Sequence, residues 1–244
     1  MSSPFFRFEF KYVIPEALMK AIEADLLGFG MKRDAAGNHY TVNSLYFDNP
    51  FFSDYNDKSG GFLRRKKVRV RIYGESLNNL TDPRVWLELK EKYDMRISKR
   101  RVAVSREDWK HFPAILKKSH YSTDAFTAQE KQVFGEFKFE MISGTRIPSV
   151  LVSYSRSAFT KTIAGQKVRI TLDYGLKAAR PSLDLEMRNV RKVMAGWAVL
   201  EVKYDRFLPA YITVLIQKYG LRREAYSKYA KGLETINRYN PLPK

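Results

Sequence analysis

Residues 64–74 read RRKKVRVRIYG, with six basic side chains in the first eight positions, then apolar residues and a glycine. A charge run of this kind suggests a nucleic-acid patch or a solvated tail. The interleaved Val68, Val70, Ile72 and Tyr73 argue instead for a β-strand. On a strand, side chains two apart share a face. Arg65, Lys67, Arg69 and Arg71 then lie on one face, and Lys66, Val68, Val70 and Ile72 on the other.

The same division recurs along the chain. In RFEFKYVI, Arg7, Glu9 and Lys11 oppose Phe8, Phe10 and Tyr12. In VWLELKEKY, Glu88 and Lys90 face away from Leu87 and Leu89, and in KRRVAVS, Lys99 and Arg101 oppose Arg100, Val102 and Val104. Tyr154 and Arg156 pair along SYSR. Arg169, Thr171 and Asp173 oppose Val168, Ile170 and Leu172, and Glu201 and Lys203 oppose Leu200, Val202 and Tyr204. TVNSLYFDNP adds another strand, stopped by a turn at Asp48-Asn49-Pro50, and LDLEMRNV (183–190) a weaker one.

Helical spacing predicts helices over 15–30, 106–116 behind a Ser105 cap, roughly 124–136, 210–220 after Pro209, and 224–239. About eight strands with helices between and after them make an α+β fold on a mostly antiparallel sheet. The whole of 1–244 reads as a single domain.

The 244 residues carry 44 Lys plus Arg against 26 Asp plus Glu, a net charge of +18, which calls for an anionic partner. There is no cysteine, so disulfides, thiolate metal sites and cysteine nucleophiles are excluded, and a reducing, cytoplasmic setting is expected. No apolar run reaches the roughly 18–20 residues of a membrane span. His39, His111 and His120 lack metal-ligand spacing.

An antiparallel sheet with one wet face is the plain reading of such strands. Solvated faces, however, usually carry Thr, Ser, Gln and mixed-sign pairs, and like charges opposed across strands are destabilising. A closed eight-stranded β-tunnel turns the charged faces inward into a basic lumen and leaves the apolar faces to be covered by surrounding helices. Arg69, Arg71, Lys67, Lys99, Arg101 and Lys203 then form a cage suited to polyphosphate, because guanidinium forks and ammonium groups both bind phosphate oxygens. The scattered carboxylates Glu9, Glu88, Asp173 and Glu201 make sense as ligands of a hard divalent cation.

Taken in order, RFEFKY, SLYFDN, KVRVRIYG, ELKEK, SKRR, SYSRSAF, VRITLD, VLEVKY and SKYAKG resemble the VTC domain, the polyphosphate polymerase domain of the triphosphate tunnel metalloenzyme superfamily. The resemblance runs from near residue 7 to near 235. It implies a β-tunnel that binds a nucleoside triphosphate and a divalent metal, often manganese, and moves the γ-phosphate of ATP onto a growing polyphosphate chain. It implies catalytic roles for Lys11, Arg69, Arg71, Lys90, Tyr154, Arg156 and Arg169, metal binding by Glu201, and phosphate binding by Lys228 and Lys231 of the final helix. ATP and inorganic polyphosphate or pyrophosphate are the implied partners, with a membrane protein that holds the domain at the inner face of a membrane. Sequence-specific nucleic acid is not expected, since the charged face of 64–74 has no aromatic partner for stacking.

Tunnel triphosphatases open with E-x-E-x-K, whereas here Arg7 stands in place of the first glutamate. That favours phosphate-to-phosphate transfer over hydrolysis. A triphosphatase or polyphosphatase on the same scaffold, and a non-catalytic polyphosphate-binding module, are the other readings.

Overall fold

The computed structural model describes residues 7–34, 39–94, 96–117 and 122–236. Eight long strands carry the fold: β1 (Arg7–Pro15), β2 (Tyr40–Asp48), β3 (Arg64–Ser76), β4 (Val85–Tyr93), β5 (Arg96–Val104), β6 (Ile147–Ile163), β7 (Gln166–Ala179) and β8 (Trp197–Tyr204). Each pairs antiparallel with its neighbours in the order β7-β8-β1-β5-β4-β3-β2-β6, and β6 pairs back onto β7, so the ring closes. The seam between β1 and β5 is the thinnest, held by Arg7 opposite Ile97 and Phe8 opposite Arg96. An isolated bridge from Arg223 to Tyr12 lays the segment before the last helix along the rest of β1.

The strands form because their alternation buries one face. Outward residues of β2–β5, including Leu45, Val68, Val70, Leu87, Leu89 and Val102, make one core with α3 (Arg106–Lys110), α4 (Phe112–Lys117) and α5 (Ala128–Ser143). Ile14, Ile170, Leu172, Leu200 and Val202 make a second with α1 (Met19–Gly28) and α6 (Ala210–Lys218). Among the described residues no helix is long and apolar enough to cross a membrane.

Several expectations need correcting. The helix read over 106–116 is two helices, because Pro113 cannot donate the backbone bond that a continuous helix would need there. The helix expected near 124–136 begins at Ala128, where Thr127 and Glu130 form a capping box, and runs to Ser143. LDLEMRNV is not a strand. Leu185 and Asn189 have φ of 59° and 50°, and Asp184 accepts the Glu186 amide at 2.9 Å, a local turn that competes with pairing.

The last helix, α7 (Lys228–Thr235), starts at the Ser227 cap rather than at Glu224. The part of that reading beyond residue 236 lies outside the described residues, as does His120.

The closed ring with its basic lumen and covering helices is present as expected, and the structure adds one feature at an end of the lumen. Val42, Tyr46, Val150, Val152, Leu176, Ala178 and Val199 point inward at one end and form a third core with Tyr229, Ala230 and Leu233 of α7, which plugs the ring from inside. A Cβ on Gly232 would stand 2.7 Å from a Val152 methyl, so only glycine allows α7 to seat this closely.

Fully burying a leucine such as Leu233 is worth roughly 1.5–3 kcal/mol, more than a surface ion pair of the Lys231–Glu234 kind, which is worth about 0–1 kcal/mol. Apolar contact therefore holds the plug. A β-bulge where Ser155 pairs with Tyr174, with Gly175 at φ 60°, lets apolar Leu176 and Ala178 and polar Asp173 both face inward on β7.

Candidate active site

Beyond the plug the ring encloses a cavity of ≈ 930 Å³. Fifteen Lys and Arg side chains line it against three carboxylates, Glu9, Glu201 and Glu224, so the space is built for anions. The strand registers explain the clustering. Lys67, Lys90 and Lys99 sit side by side on β3, β4 and β5, a row of like charges that the fold tolerates next to nearby carboxylates. One step along, Arg69, Glu88 and Arg101 form the next row, and opposite them Lys11 pairs across to Glu201.

Each carboxylate is held by cations. Glu88, fully buried, takes Arg69 Nε at 2.7 Å and an ion pair from Lys99, with Arg71 at 3.9 Å. Asp173, also fully buried, receives a two-pronged contact from Arg156 at 2.5 and 2.7 Å and the Lys228 ammonium at 2.5 Å. Glu201 contacts Lys228 and Lys203 at 2.8 Å each and Lys11 at 3.7 Å. Glu9 contacts Lys90 at 3.1 Å and Lys11 at 3.3 Å.

Burial pulls the Glu201 carboxyl upward, but Lys203, Lys228 and Lys11 outweigh it and hold it well below the ordinary range; Glu88 is held down in the same way by Arg71, Arg69 and Lys99. Tyr154 lays its ring under the Lys228 ammonium at 4.9 Å, and its hydroxyl accepts from Arg156 at 3.3 Å.

Of the residues expected at the site, Glu9, Lys11, Lys67, Arg69, Arg71, Lys90, Lys99, Arg101, Tyr154, Arg156, Arg169, Glu201, Lys203 and Lys228 all line this cavity. Arg169 stands at the rim, bonded to Asp34 at 2.7 Å and to Tyr40 at 3.0 Å. Three expectations fail on position. Lys231 is exposed and pairs with Glu234, because one turn of α7 carries it away from the lumen that Lys228 enters. Glu88 and Asp173 do not reach the cavity and lie behind its cations as buried counter-charges.

Sequence reasoning also missed Tyr46, Lys58, Lys92, Arg223 and Ser227, all on the cavity wall. Tyr46 and Lys92 were legible from the period-two pattern of their own strands. Lys58, Arg223 and Ser227 come from segments whose approach only the fold decides. Lys67 donates to Ser227 Oγ at 2.6 Å.

The crowding of cations sets a pH dependence. Burial, only partly offset by Glu9, pushes Lys90 down to about 8, and burial lowers Lys67 and Lys99 well below the usual lysine value. A bound polyanion favours the charged forms, so binding takes up protons once the free lysines begin to lose them. Tripolyphosphate affinity is therefore expected to fall as pH rises through about 8. Calorimetry in buffers of different ionisation enthalpy should show net proton uptake there, and a pH-independent affinity between 6.5 and 9 would contradict this.

Among the described residues no three His, Asp or Glu side chains gather as a group able to hold a metal ion. Glu201 is the carboxylate best placed on the cavity wall, with Glu9 beside it, and the Lys228 ammonium already sits between Glu201 and Asp173. This donor set fits Mg²⁺ or Mn²⁺ arriving with phosphate oxygens, since such ions are commonly held by one or two carboxylates plus substrate phosphates. It does not fit a closed protein cage.

A family model described as the VTC domain matches residues 6–237. A comparison with curated protein sequences found no match. Among solved structures the chain is similar to HpAC1 from Hippeastrum, a candidate adenylyl cyclase with a dominant triphosphatase activity, at 12% identity and TM-score 0.48 over 92% of this chain and 93% of that one. It is similar to a candidate adenylate cyclase from Vibrio parahaemolyticus at 12% identity and TM-score 0.49, over 94% and 98%. A candidate adenylate cyclase from Bacillus halodurans aligns at 9% identity and TM-score 0.46, over 89% and 91%.

Proposed function

The chain belongs to the VTC domain family, and from that premise we propose that it is a metal-dependent polyphosphate polymerase transferring the γ-phosphate of ATP onto an inorganic polyphosphate or pyrophosphate acceptor. One observation carries the choice of transfer over hydrolysis. The carboxylates on the wall between the cations, Glu9 and Glu201, are ion-paired and acid-shifted, which makes them poor bases for activating water. A terminal phosphate needs no base, because it is already an anionic nucleophile.

In the transfer, an oxygen of the acceptor's terminal phosphate bonds to Pγ, the bond from Pγ to the β-bridging oxygen breaks, and ADP leaves with that electron pair. Alignment and charge neutralisation do most of the work in such reactions. Arg69, Arg71 and Arg156, whose guanidinium groups are fixed by Glu88, Ser44 and Asp173, hold phosphate oxygens in a set orientation. Lys11, Lys67, Lys90, Lys99, Lys203 and Lys228 supply neutralising charge along the chain of phosphates. Glu201, with Glu9, would hold the divalent ion, which when bound neutralises charge on the transferring phosphate. Tyr154 buttresses Lys228 and Arg156. Arg169 and Arg101 guide the anion at the rim.

ATP with Mn²⁺ is expected to yield a phosphate ladder on a gel, with ADP released in step. Orthophosphate released without any chain would replace this reading with the triphosphatase one. Tight tripolyphosphate binding without turnover would replace it with the binding-module one.

A further inference from the structure

Asp48 reads in sequence as part of an Asn-Pro turn, yet it is fully buried. Its Oδ1 accepts the amides of Asn49 at 2.8 Å and Asp54 at 3.1 Å, which fastens α2 (Ser53–Ser59) to the end of β2. Its Oδ2 accepts the Tyr55 amide at 3.1 Å and the hydroxyl of Tyr229. One carboxylate thus ties the cap helix α2 to the plug helix α7.

Tyr229 and Lys228 are consecutive in the first turn of α7 and diverge by about 100° around its axis. Tyr229 reaches toward β2, where it also packs on the Tyr46 ring at 5.3 Å, while Lys228 reaches toward Asp173 on β7 and Glu201 on β8. Gly232, one turn later, touches β6 through Val152. Three walls therefore fix the rotation and depth of a short helix whose first residue puts an ammonium group into the cavity.

We propose that the Asp48–Tyr229 contact is the positioning device for Lys228, setting where that ammonium meets the phosphate chain. The inference rests on the phosphate reading of the cavity. The Tyr229 ring also lines the cavity and lies 5.5 Å from the Lys67 ammonium, contacts that the ring alone makes, so the effect of the hydroxyl bonded to Asp48 should run through Lys228.

A double-mutant cycle on tripolyphosphate affinity tests this, with Tyr229→Phe, Lys228→Met and the pair measured by calorimetry. Tyr229→Phe removes a single hydroxyl and keeps the ring in its core, whereas Asp48→Asn would turn a donor toward the α2 amides and put folding at risk. Hydrogen exchange over 228–235 gives the second readout.

Tyr229→Phe should weaken binding about tenfold in the native background, by less than twofold beside Lys228→Met, and speed exchange in α7. An equal loss in both backgrounds would mean that Tyr229 supports the fold at large, and would overturn the proposal. So would no loss in the native background. Should Lys228→Met leave affinity unchanged, the phosphate reading fails by itself, and unchanged exchange in Tyr229→Phe would then overturn the seating as well.

Discussion

Glu201→Gln is expected to lower the rate of phosphate transfer by about 10²–10³-fold, the range seen when one group stabilising a transition state is removed. At the same time it should tighten metal-free binding of tripolyphosphate. The two effects have opposite sign because Glu201 has two kinds of neighbour. It lies 2.8 Å from both Lys203 and Lys228, with Lys11 at 3.7 Å and Arg156 at 3.9 Å, so its negative charge cancels part of the field that draws the anion in.

Neutralising Glu201 leaves those cations to the ligand alone, and the bound state gains. What is lost is the group that holds Lys203 and Lys228 in register and that would complete the shell of a cation arriving with the phosphates. Because the native carboxyl is held well below its usual range, lowering the pH through 4 to 5 should not mimic the substitution. Calorimetry for affinity and a gel assay for chain growth separate the two effects. A variant that keeps its transfer rate would remove Glu201 from the machinery, and one that loses affinity along with rate would mark it as a structural residue.

How far the sequence could be read depended on the range of the interaction. Alternation is local, so the inward set Lys67, Arg69 and Arg71 followed from 64–74 alone, and the same rule brought Lys90, Lys99 and Lys203 onto the cavity wall. The closed ring followed by argument from like charges that must share an anion. Lys231 was misplaced because a helical spacing of three puts two lysines near one face without fixing which of them turns inward: Lys228 enters the cavity and Lys231 is exposed, although Leu233 beyond it is fully buried.

The apolar plug was hidden for a related reason. Val150, Val152, Leu176 and Ala178 look like any buried strand residues, and nothing local distinguishes an outward core from an inward one. The bulge at Tyr174 and Gly175 changes the parity of β7 midway, which a strict period-two reading cannot carry across. The burial of Glu88 and Asp173 behind the cations was equally invisible, because alternation assigns a face and not a depth.

That depth gives Glu88 the largest expected effect on stability. Removing one partner of a buried ion pair typically costs about 3–5 kcal/mol, since the other charge is left uncompensated. Glu88→Gln keeps the shape but leaves Arg69, Arg71 and Lys99 without their counter-charge. Those three open onto a wet cavity, which screens them, so the loss should lie near the low end, about 3 kcal/mol, and appear as a drop in melting temperature.

A polyanion in the lumen replaces the missing charge. Ligand at a hundred times its Kd adds about 2.7 kcal/mol and at a thousand times about 4.1 kcal/mol, and the variant, binding more tightly, should gain more from a given concentration than the native protein does. Melting curves with and without tripolyphosphate measure both shifts. An unchanged melting temperature in Glu88→Gln would show that the cations need no internal partner, and equal ligand shifts in the two proteins would show that Glu88 and the phosphates do not compete for the same guanidinium groups. The expected outcome explains how the fold tolerates a lumen this basic. Glu88 and Asp173, out of reach of any substrate, neutralise the wall from behind and leave the inward donors of Arg69, Arg71 and Arg156 aimed at whatever anion enters.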